Sequence, residues 1–288
     1  RSRTPQNPII TVQTVAIIKG YCFSVYNMPN SSDFEMAWGE LKQHWYIKPY
    51  NGNIPNTPGY SFIRFIFPPL IRGLIRINAN GLNNIPTSGP TILAANHLSH
   101  VDPILIITSS RRKAHYLAKD GHFQNFWLRQ FMKMTGQIKT HREEGGDQAL
   151  SSAADVLSAK STLGIFPEGT RSKRTESPLL LPGKTGVARL AASYPDTVVI
   201  PISLNGTREM MTPQKHKLPR LWKPIRVDVG KGITWIEWLQ DSKGGNISVK
   251  ELKSLKNKEE HEIKAQLASL YRKFTDQLMA TIKHLGAP

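Results

Sequence analysis

From about residue 80 onward, short apolar runs alternate with longer stretches that have helical periodicity. The apolar runs, typical of β-strands, are TILAA, HYLAK, TLGIF, VVIPISL and RVDVG. The helical stretches among them are FQNFWLRQFMKM, DQALSSAADVLSAK and TGVARLAAS. This alternation predicts an α/β fold with a central mixed, largely parallel sheet flanked by helices. In such folds the active residues tend to lie on loops beyond the carboxyl ends of the strands.

The two ends of the chain differ from this middle part. Residues 1–58 are rich in Pro, Asn and Ser, and they predict an N-terminal extension without an assigned role, in which TVAIIKGY favours a strand and MAWGELKQHWY a short helix. Residues 59–240 are predicted to form the α/β domain. Residues 241–288 predict a loop, SKGGNIS, followed by a long amphipathic helix. We expect this helix to pack on the domain, with membrane or partner binding as the alternative. Its apolar positions recur every three or four residues: Ile263, Leu267, Leu270, Phe274, Leu278, Ile282 and Leu285.

The chain is strongly basic. Its 288 residues carry a formal net charge of +17, which indicates an anionic partner such as nucleic acid, an anionic membrane face or a phosphorylated substrate. Charge alone does not choose among the three. Cys22 is the one cysteine of the sequence, which excludes an internal disulfide framework and any zinc site built from several cysteines.

The most apolar neighbourhood is SFIRFIFPPLIRGLIRI. It is interrupted by Arg64, Arg72 and Arg76 and by the pair Pro68 and Pro69, so it lacks the roughly 18 uninterrupted apolar residues that a spanning helix needs. We therefore predict no transmembrane helix. Basic residues interleaved with Phe, Ile and Leu suit a segment that lies in a membrane interface, and an amphipathic element packed on the core is the equally weighted alternative.

The stretch NHLSHVDPI follows directly on the first strand-like run. Its His97 and Asp102 are five positions apart, and on a continuous helix they would differ by about 140° around the axis. They can meet only across a turn. Asp is a favoured N-cap and Pro a favoured first helical residue, so a helix is expected to begin at Pro103, and this role alone would account for Asp102.

A catalytic role is the other interpretation of the same two residues. An Asp102 carboxylate that accepts the Nδ1 proton of His97 would fix the tautomer, so that Nε2 could take a proton from a hydroxyl. A positioned base of this kind contributes about 10² to 10⁴ in rate. The nearby His100 is a rival candidate for the base, and as an isolated motif His-x4-Asp carries little specificity.

A second polar stretch, FPEGTRS, comes immediately after the strand-like TLGIF. A Pro-Glu-Gly-Thr turn at the end of a strand could present Glu168, backbone amides and Arg171 to a ligand, and an arginine there suits bidentate contact with a phosphate. The alternative is a surface turn with solvated charges.

A third stretch, LPGKTGVARLA, places Lys184 between two glycines just before a helix. A phosphate at the N-terminus of this helix would meet free N–H groups, the positive end of the helix dipole and the lysine ammonium. The spacing is not that of a nucleotide-binding P-loop, so nucleotide hydrolysis has no support here.

The order of these blocks resembles the four-block signature of the glycerolipid acyltransferases, and more narrowly that of the bacterial 1-acylglycerol-3-phosphate acyltransferases. The blocks are NH-x4-D, GQIKTHR, FPEGTRS and VIPISLNGT, and the resemblance covers about residues 70 to 230. It implies a fold like that of glycerol-3-phosphate acyltransferase, with residues 59–240 as the acyltransferase domain. It also favours the catalytic interpretation of His97 and Asp102.

The resemblance further implies the roles of individual residues. His97 would be the general base and Asp102 its orienting partner, while Arg142, Arg171 and Lys184 would bind the substrate phosphate. Thr140 and His141 depart from the family, which often has an apolar residue and an Asp there. The residues expected to support the motifs are Asn96, Gly136, Glu168, Gly169, Thr170 and Pro201.

The activity implied is acyl transfer from a thioester to the free hydroxyl of 1-acylglycerol 3-phosphate, giving phosphatidic acid without an acyl-enzyme. The donor would be acyl-CoA or acyl carrier protein, no metal or cofactor is expected, and Ser99 need not act as a nucleophile. The further partners implied are the lysophospholipid acceptor and an anionic membrane surface. The predicted location is peripheral, at the cytoplasmic face of a membrane.

Two alternatives stay open at this point. One is a related acyltransferase that uses glycerol 3-phosphate or another lysophospholipid. The other, from a different class, is a basic nucleic-acid-binding protein, which the charge and clusters such as Arg111, Arg112 and Lys113 favour. No recognisable nucleic-acid-reading motif is present, so no nucleic-acid partner is expected.

Overall fold

The structure is a computed structural model of the chain. It describes residues 31–54, 57, 59–60, 65, 69, 73, 75–110, 112–119, 130, 136–140, 146–212 and 218–288.

The strands of these parts form one sheet. Their bounds are β1 Ile77–Asn80, β2 Thr91–Ala95, β3 Ala114–Lys119, β4 Ile138–Thr140, β5 Thr162–Ile165, β6 Val198–Asn205 and β7 Ile225–Val229. Their order across the sheet is β1-β7-β6-β2-β5-β3-β4. The five strands from β6 to β4 run parallel to one another, and β7 pairs with β6 antiparallel. β1 is parallel to β7, so the sheet is mixed and largely parallel.

Helices flank this sheet. Their bounds are α1 Ser31–Gly39, α2 Lys42–Trp45, α3 Asp102–Ser109, α4 Gly146–Ser158, α5 Gly186–Ser193, α6 Thr207–Met210, α7 Trp235–Gln240, α8 Val249–Leu255 and α9 Glu260–His284, and a short 3₁₀ turn spans Leu82–Asn84. None of the helices in the described part of the chain is long and apolar enough to cross a membrane.

The central strand β2 has buried side chains on both of its faces, as expected for a parallel strand covered by helices on each side. Ile92 and Ala94 join a core cluster with α4, α5 and α9. Leu93 and Ala95 point the other way, into a second cluster that includes Leu105 of α3. The period of two along the strand therefore assigns successive side chains to opposite layers.

Helix α9 packs on the first of these two layers. Ile263, Leu270, Phe274 and Ile282 are buried on one face of the helix, and α9 contacts α5 and β6. The periodicity that predicts an amphipathic helix thus marks the face that the core covers.

Helices α1 and α2 contribute to the same layer. Trp38 is buried, stacks on Trp45 with ring centroids 5.3 Å apart, and donates its Nε1 hydrogen to the carbonyl oxygen of Ala192 at 3.0 Å. The backbone N–H of Ile47 donates to Oγ of Ser193 at 2.8 Å. Residues just before the predicted α/β domain are therefore held against the end of α5.

The predicted α/β fold is confirmed. The five strand-like runs coincide with β2, β3, β5, β6 and β7, and the stretches from Asp147 and Thr185 coincide with α4 and α5. The predicted strand at residues 14–21 and all but residue 130 of the predicted helix at 123–134 lie outside the described residues.

Candidate active site

The loops that follow β2, β5 and β6 lie at one edge of the sheet. These strands are parallel neighbours, so their carboxyl ends coincide. His97 follows β2, the turn at Glu168 follows β5, and Arg208 follows β6. The topology thus brings together three motifs that are about 40 to 70 residues apart in sequence.

His97 and Asp102 meet across a tight turn, as the sequence requires. His97 Nδ1 lies 2.8 Å from Oδ2 of Asp102. The same oxygen accepts the backbone N–H groups of Leu98 and Ser99, each at 2.7 Å. Asp102 is fully buried and the His97 side chain is 16% exposed. Because an ionised carboxylate can only accept, Nδ1 carries the proton and Nε2 is the nitrogen that can take up another.

The predicted start of the following helix needs a correction. The helix begins at Asp102 and not at Pro103, and Val101 stands at the N-cap. The Asp102 carboxylate turns back to the N–H groups of residues 98 and 99 and caps no N–H group of its own helix. Oδ1 accepts no hydrogen bond from the part of the chain that the structure describes. The negative charge still lies in the first helical turn, where the helix dipole stabilises it.

Asn96 joins the turn of residues 97–102 to the neighbouring strand β6. Its side chain is fully buried, donates to the carbonyl oxygen of Leu204 at 2.9 Å and accepts the N–H of Leu204 at 2.7 Å. The carboxamide thereby replaces a backbone pairing just beyond the end of β2. It locks the residue before His97 to β6.

Glu168 holds the backbone of His97. Its Oε1 accepts the N–H of His97 at 2.6 Å, and its Oε2 accepts the N–H of Leu181 at 2.8 Å. Ser172 completes the contact by donating its backbone N–H to the carbonyl oxygen of His97 at 2.9 Å. The FPEGTRS turn therefore hydrogen-bonds to both the backbone N–H and the carbonyl oxygen of His97.

Burial raises the pKa of Glu168 to about 7. The N–H donors at His97 and Leu181 lower it, the Asp102 charge raises it, and the Arg174 charge lowers it, but desolvation is the largest of these effects. Since both carboxylate oxygens accept N–H groups, the ionised form fits the observed contacts. Protonation would make one oxygen a donor as well, and desolvation, which favours the protonated form, outweighs the two N–H contacts in setting the pKa.

Aromatic rings cover the His97 imidazole. Phe166 stacks on it with ring centroids 3.9 Å apart and an interplanar angle of 11°. Tyr116 lies behind Phe166, 5.5 Å between centroids. Burial raises the pKa of the Tyr116 hydroxyl well above its usual range, with smaller contributions from Tyr60 and Asp102. Stacking fixes the ring plane. The hydrogen bonds to the His97 backbone and the ring contact together leave its side chain little rotational freedom.

Arg171 contacts the rival histidine. Its guanidinium donates to Nε2 of the exposed His100, which accordingly accepts as a neutral imidazole. Partial burial lowers the pKa of Arg171, and the Asp102 charge partly offsets this effect. His100 therefore lies beside a cation.

Lys184 lies against the same turn. Its backbone N–H donates to the carbonyl oxygen of Pro167 at 2.8 Å. Gly169 has φ +69°, and a Cβ at this position would be 3.0 Å from Cδ and Cε of Lys184. A residue with a side chain would thus be strained and would crowd the lysine. From the other side, Arg272 of α9 donates to the carbonyl oxygen of Gly183 at 2.9 Å and steadies this loop.

The other predicted residues take different positions. Thr170 is exposed on the FPEGTRS turn, next to Arg171. Gly136 has φ +66° and precedes β4, which is three strands from β2 in the sheet, and its carbonyl oxygen lies 2.7 Å from Nδ1 of His115. Pro201 is buried within β6 and accepts the N–H of Gly230 at 2.9 Å. Arg142 lies outside the described residues.

Sequence reasoning assigned no role to three residues of this site. They are Phe166, Ser172 and Arg208, whose guanidinium donates to the carbonyl oxygen of Ser172 at 3.3 Å. The first two border the Pro-Glu-Gly-Thr turn, and Arg208 directly follows the fourth block, so proximity to a motif was the available signal.

One arginine of the basic cluster that favours nucleic-acid binding makes hydrogen bonds within the fold. Arg112 donates to the carbonyl oxygens of Ser88 and Gly89 and to Oγ1 of Thr91, at 3.2, 2.6 and 2.7 Å. Its side chain therefore fixes the loop before β2. In the described ranges no three or more His, Cys, Asp or Glu side chains form a group that could hold a metal ion.

Comparison with known sequences points to one family. A family model described as Acyltransferase matches residues 76–205. A 1-acyl-sn-glycerol-3-phosphate acyltransferase of Bacillus subtilis is 29% identical over 109 residues, which cover 38% of this chain and 52% of that protein. The chloroplastic enzyme LPAT1 of Arabidopsis thaliana is 30% identical over 145 residues, which cover 47% of this chain and 38% of that protein. The chain thus spans about half or less of the length of these relatives.

A solved structure has the same fold. It is the 1-acyl-sn-glycerophosphate acyltransferase PlsC of Thermotoga maritima, with a TM-score of 0.51 at 18% identity, covering 77% of this chain and 80% of that one. At this identity the likeness establishes the α/β architecture alone. The family model thus matches less than half of the chain, and the likeness to PlsC adds the shared α/β architecture.

Proposed function

We propose that this chain transfers a fatty acyl group from a thioester donor to the free hydroxyl of 1-acylglycerol 3-phosphate, forming phosphatidic acid. The observation that carries the proposal is the contact of 2.8 Å between Nδ1 of His97 and the fully buried Asp102. The relatives named 1-acyl-sn-glycerol-3-phosphate acyltransferase support the choice of acceptor. Glycerol 3-phosphate and other lysophospholipids are the acceptors against which this choice must be tested.

In the proposed reaction Nε2 of His97 removes the proton of the acceptor hydroxyl as its oxygen attacks the thioester carbonyl carbon. Asp102 stabilises the imidazolium that forms and keeps its proton at Nδ1 directed inward. The tetrahedral intermediate then expels the thiolate, which takes the proton from His97 and leaves as a thiol. An oxygen–carbon bond forms, a carbon–sulfur bond breaks, and the enzyme returns to its starting state.

No enzyme nucleophile takes part in this scheme. Ser99 is the hydroxyl nearest in sequence to His97 on the catalytic turn, but it is fully buried and donates its Oγ hydrogen to the carbonyl oxygen of Met211 at 2.8 Å. This contact supports direct transfer between the two substrates without an acyl-enzyme.

The acceptor phosphate is assigned to cations around the FPEGTRS turn. Arg171 and Lys184 lie on this turn and beside it, and Arg208 adds a third cation through Ser172. Arg142 completes the proposed set. A phosphate held there would keep the glycerol hydroxyl at a fixed distance from Nε2, which converts a bimolecular encounter into an oriented one.

The acceptor and product are membrane lipids, so we place the enzyme peripherally at the cytoplasmic face of a membrane. The net charge of +17 supports attraction to anionic lipid. Phe65, from the arginine-interrupted apolar segment, is exposed, which is consistent with the interfacial interpretation of that segment. The thioester donor is acyl-CoA or acyl carrier protein.

Replacing His97 with Ala should lower kcat by at least about 10²- to 10⁴-fold, because the hydroxyl loses its base. The measurement is phosphatidic acid formation from lysophosphatidic acid and acyl-CoA or acyl carrier protein. Circular dichroism should show an intact fold, and His261→Ala, an exposed histidine of α9, serves as the matched control. An active His97→Ala enzyme, or loss of activity only in His100→Ala, would assign the base elsewhere.

Replacing Arg171 with Ala should chiefly raise KM for lysophosphatidic acid, by about tenfold or more, since a charge-assisted contact contributes about 1.5–3 kcal/mol. Monoacylglycerol, which lacks the phosphate, should show a smaller change. Arg189→Ala removes an arginine that pairs with Asp147 and should leave both acceptors unaffected. Equal losses with the two acceptors would remove Arg171 from phosphate binding.

Glu168 should make folding stability depend on pH. Its pKa is about 7 in the folded protein, against 4.5 for the unperturbed group. The stability it contributes is therefore complete below about pH 4.5 and is lost as the pH rises through about 7. In urea unfolding, the free energy of the wild type relative to Glu168→Gln should fall over this window by at most about 3 kcal/mol. A difference that does not change with pH would show that Glu168 does not titrate in this range.

A further inference from the structure

A shallow groove lies across β6, β7 and β1, at the same edge of the sheet as the turn of His97 and Asp102. Its volume is about 440 Å³, and its lining is Arg76, Ile77, Asn78, Asn205, Pro224, Ile225 and Arg226. These residues come from the amino ends of β1 and β7 and the carboxyl end of β6. Because β2 adjoins β6 and strands are about 4.8 Å apart, the groove lies within about 15 Å of His97.

An exposed apolar turn borders this groove. Trp222 is 70% exposed and Leu218 is 79% exposed. Pro224, which lines the groove, follows two residues after Trp222. These two large apolar side chains lie four positions apart in sequence, and exposed apolar patches mark interaction sites.

The backbone of this turn is fixed, although its side chains are exposed. The N–H of Arg220 donates to the carbonyl oxygen of Met210 at 2.9 Å, and the N–H of Ile225 donates to the carbonyl oxygen of Arg76 at 2.9 Å. Between them the N–H of Lys223 closes a turn onto the carbonyl oxygen of Arg220 at 3.1 Å. Leu221 packs on the core while Trp222 points outward. The backbone that carries the exposed Trp222 side chain is therefore held in place by hydrogen bonds.

The charge of the segment is uniformly positive. Residues 213–226 contain five Lys or Arg side chains and no Asp or Glu. Arg226 also pairs with the mostly buried Asp228, Nε to Oδ2 at 2.6 Å, which fixes its guanidinium at the groove. The surface thus combines outward apolar side chains with cations and amides around a groove of headgroup size.

We infer that Trp222, Leu218 and the groove between Arg76 and Arg226 form the docking surface through which the chain binds an anionic phospholipid bilayer. Trp222 and Leu218 enter the boundary between headgroups and acyl chains, and the groove receives a lipid phosphate. The catalytic turn lies at the same edge of the sheet, so docking would bring His97 close to the bilayer surface.

Nucleic acid would also find cations and an aromatic ring here. A lipid surface is favoured because Leu218, an aliphatic side chain, gains from entering an acyl boundary and offers no face on which a base can stack. This choice of partner rests on the proposed function. The positions of Trp222, Leu218 and the groove do not depend on the proposed function.

Vesicle sedimentation tests the apolar part of this surface. The full chain should bind vesicles that contain phosphatidylglycerol, and Trp222→Ala should lower the vesicle affinity by about tenfold, the effect of burying one large apolar side chain. The wild type should also show a blue shift of tryptophan emission on vesicle addition that is smaller in Trp222→Ala. Tyr50→Ala, which removes an exposed aromatic side chain elsewhere, should bind as the wild type does.

The same assay tests the groove. Arg76→Gln and Arg226→Gln should each lower affinity for the anionic vesicles by about fivefold. Lys264→Gln removes the same charge from the exposed face of α9 and should change little, and neutral phosphatidylcholine vesicles should bind more weakly than anionic ones. Vesicle binding should be retained in His97→Ala, so that a failure of the catalytic proposal does not affect this result.

Three outcomes would overturn the inference. The first is unchanged vesicle affinity in both Trp222→Ala and Arg76→Gln. The second is displacement from vesicles by millimolar inorganic phosphate or glycerol phosphate, which would indicate a site for a free phosphate compound. The third is tight single-stranded DNA binding that Trp222→Ala abolishes while vesicle binding persists, which would assign the surface to nucleic acid.

Discussion

A single buried carboxylate oxygen organises the turn from His97 to Asp102. Oδ2 of Asp102 accepts three N–H groups, from the imidazole of His97 and from the backbones of Leu98 and Ser99. A carboxylate buried to this extent is costly unless it is paired or hydrogen-bonded, so the chain between residues 97 and 102 is held in the conformation that supplies the donors. The same contacts that make the buried charge tolerable also orient the proposed base.

The remainder of the site supports this turn from outside. Asn96 ties its beginning to β6, Glu168 and Ser172 hold the peptide groups of His97, and Phe166 stacks on the ring. Each of these contacts comes from a loop at the carboxyl end of a parallel strand. The sheet therefore acts as a rigid frame that brings distant motifs to within hydrogen-bonding distance, and preorganisation of this kind is what a general base requires.

The alternation of apolar runs was sufficient to predict β2, β3, β5, β6 and β7 and the helices α4 and α5, because buried parallel strands and amphipathic helices leave different periods in the sequence. It did not predict the short strands β1 and β4 or the short helices α6, α7 and α8. The turn between His97 and Asp102 could also be predicted, since helical geometry forbids their contact otherwise. Which carboxylate oxygen each donor uses, and the start of the helix at Asp102, could not, because they depend on side-chain rotamers and on competition among donors. The hydrogen bond from the N–H of His97 to Glu168 joins residues 71 positions apart in sequence and exists only in the folded sheet. The burial of Trp38 against Ala192 is a long-range contact of the same kind.

The role of the Asp102 charge is tested most directly by the Asp102→Asn variant. A neutral carboxamide keeps the size of the side chain but no longer stabilises the imidazolium or fixes the proton at Nδ1. With lysophosphatidic acid and a thioester donor, we expect kcat to fall by about 10³- to 10⁴-fold, with KM for the acceptor little changed and the fold preserved by circular dichroism. An unchanged kcat in this folded variant would contradict the account.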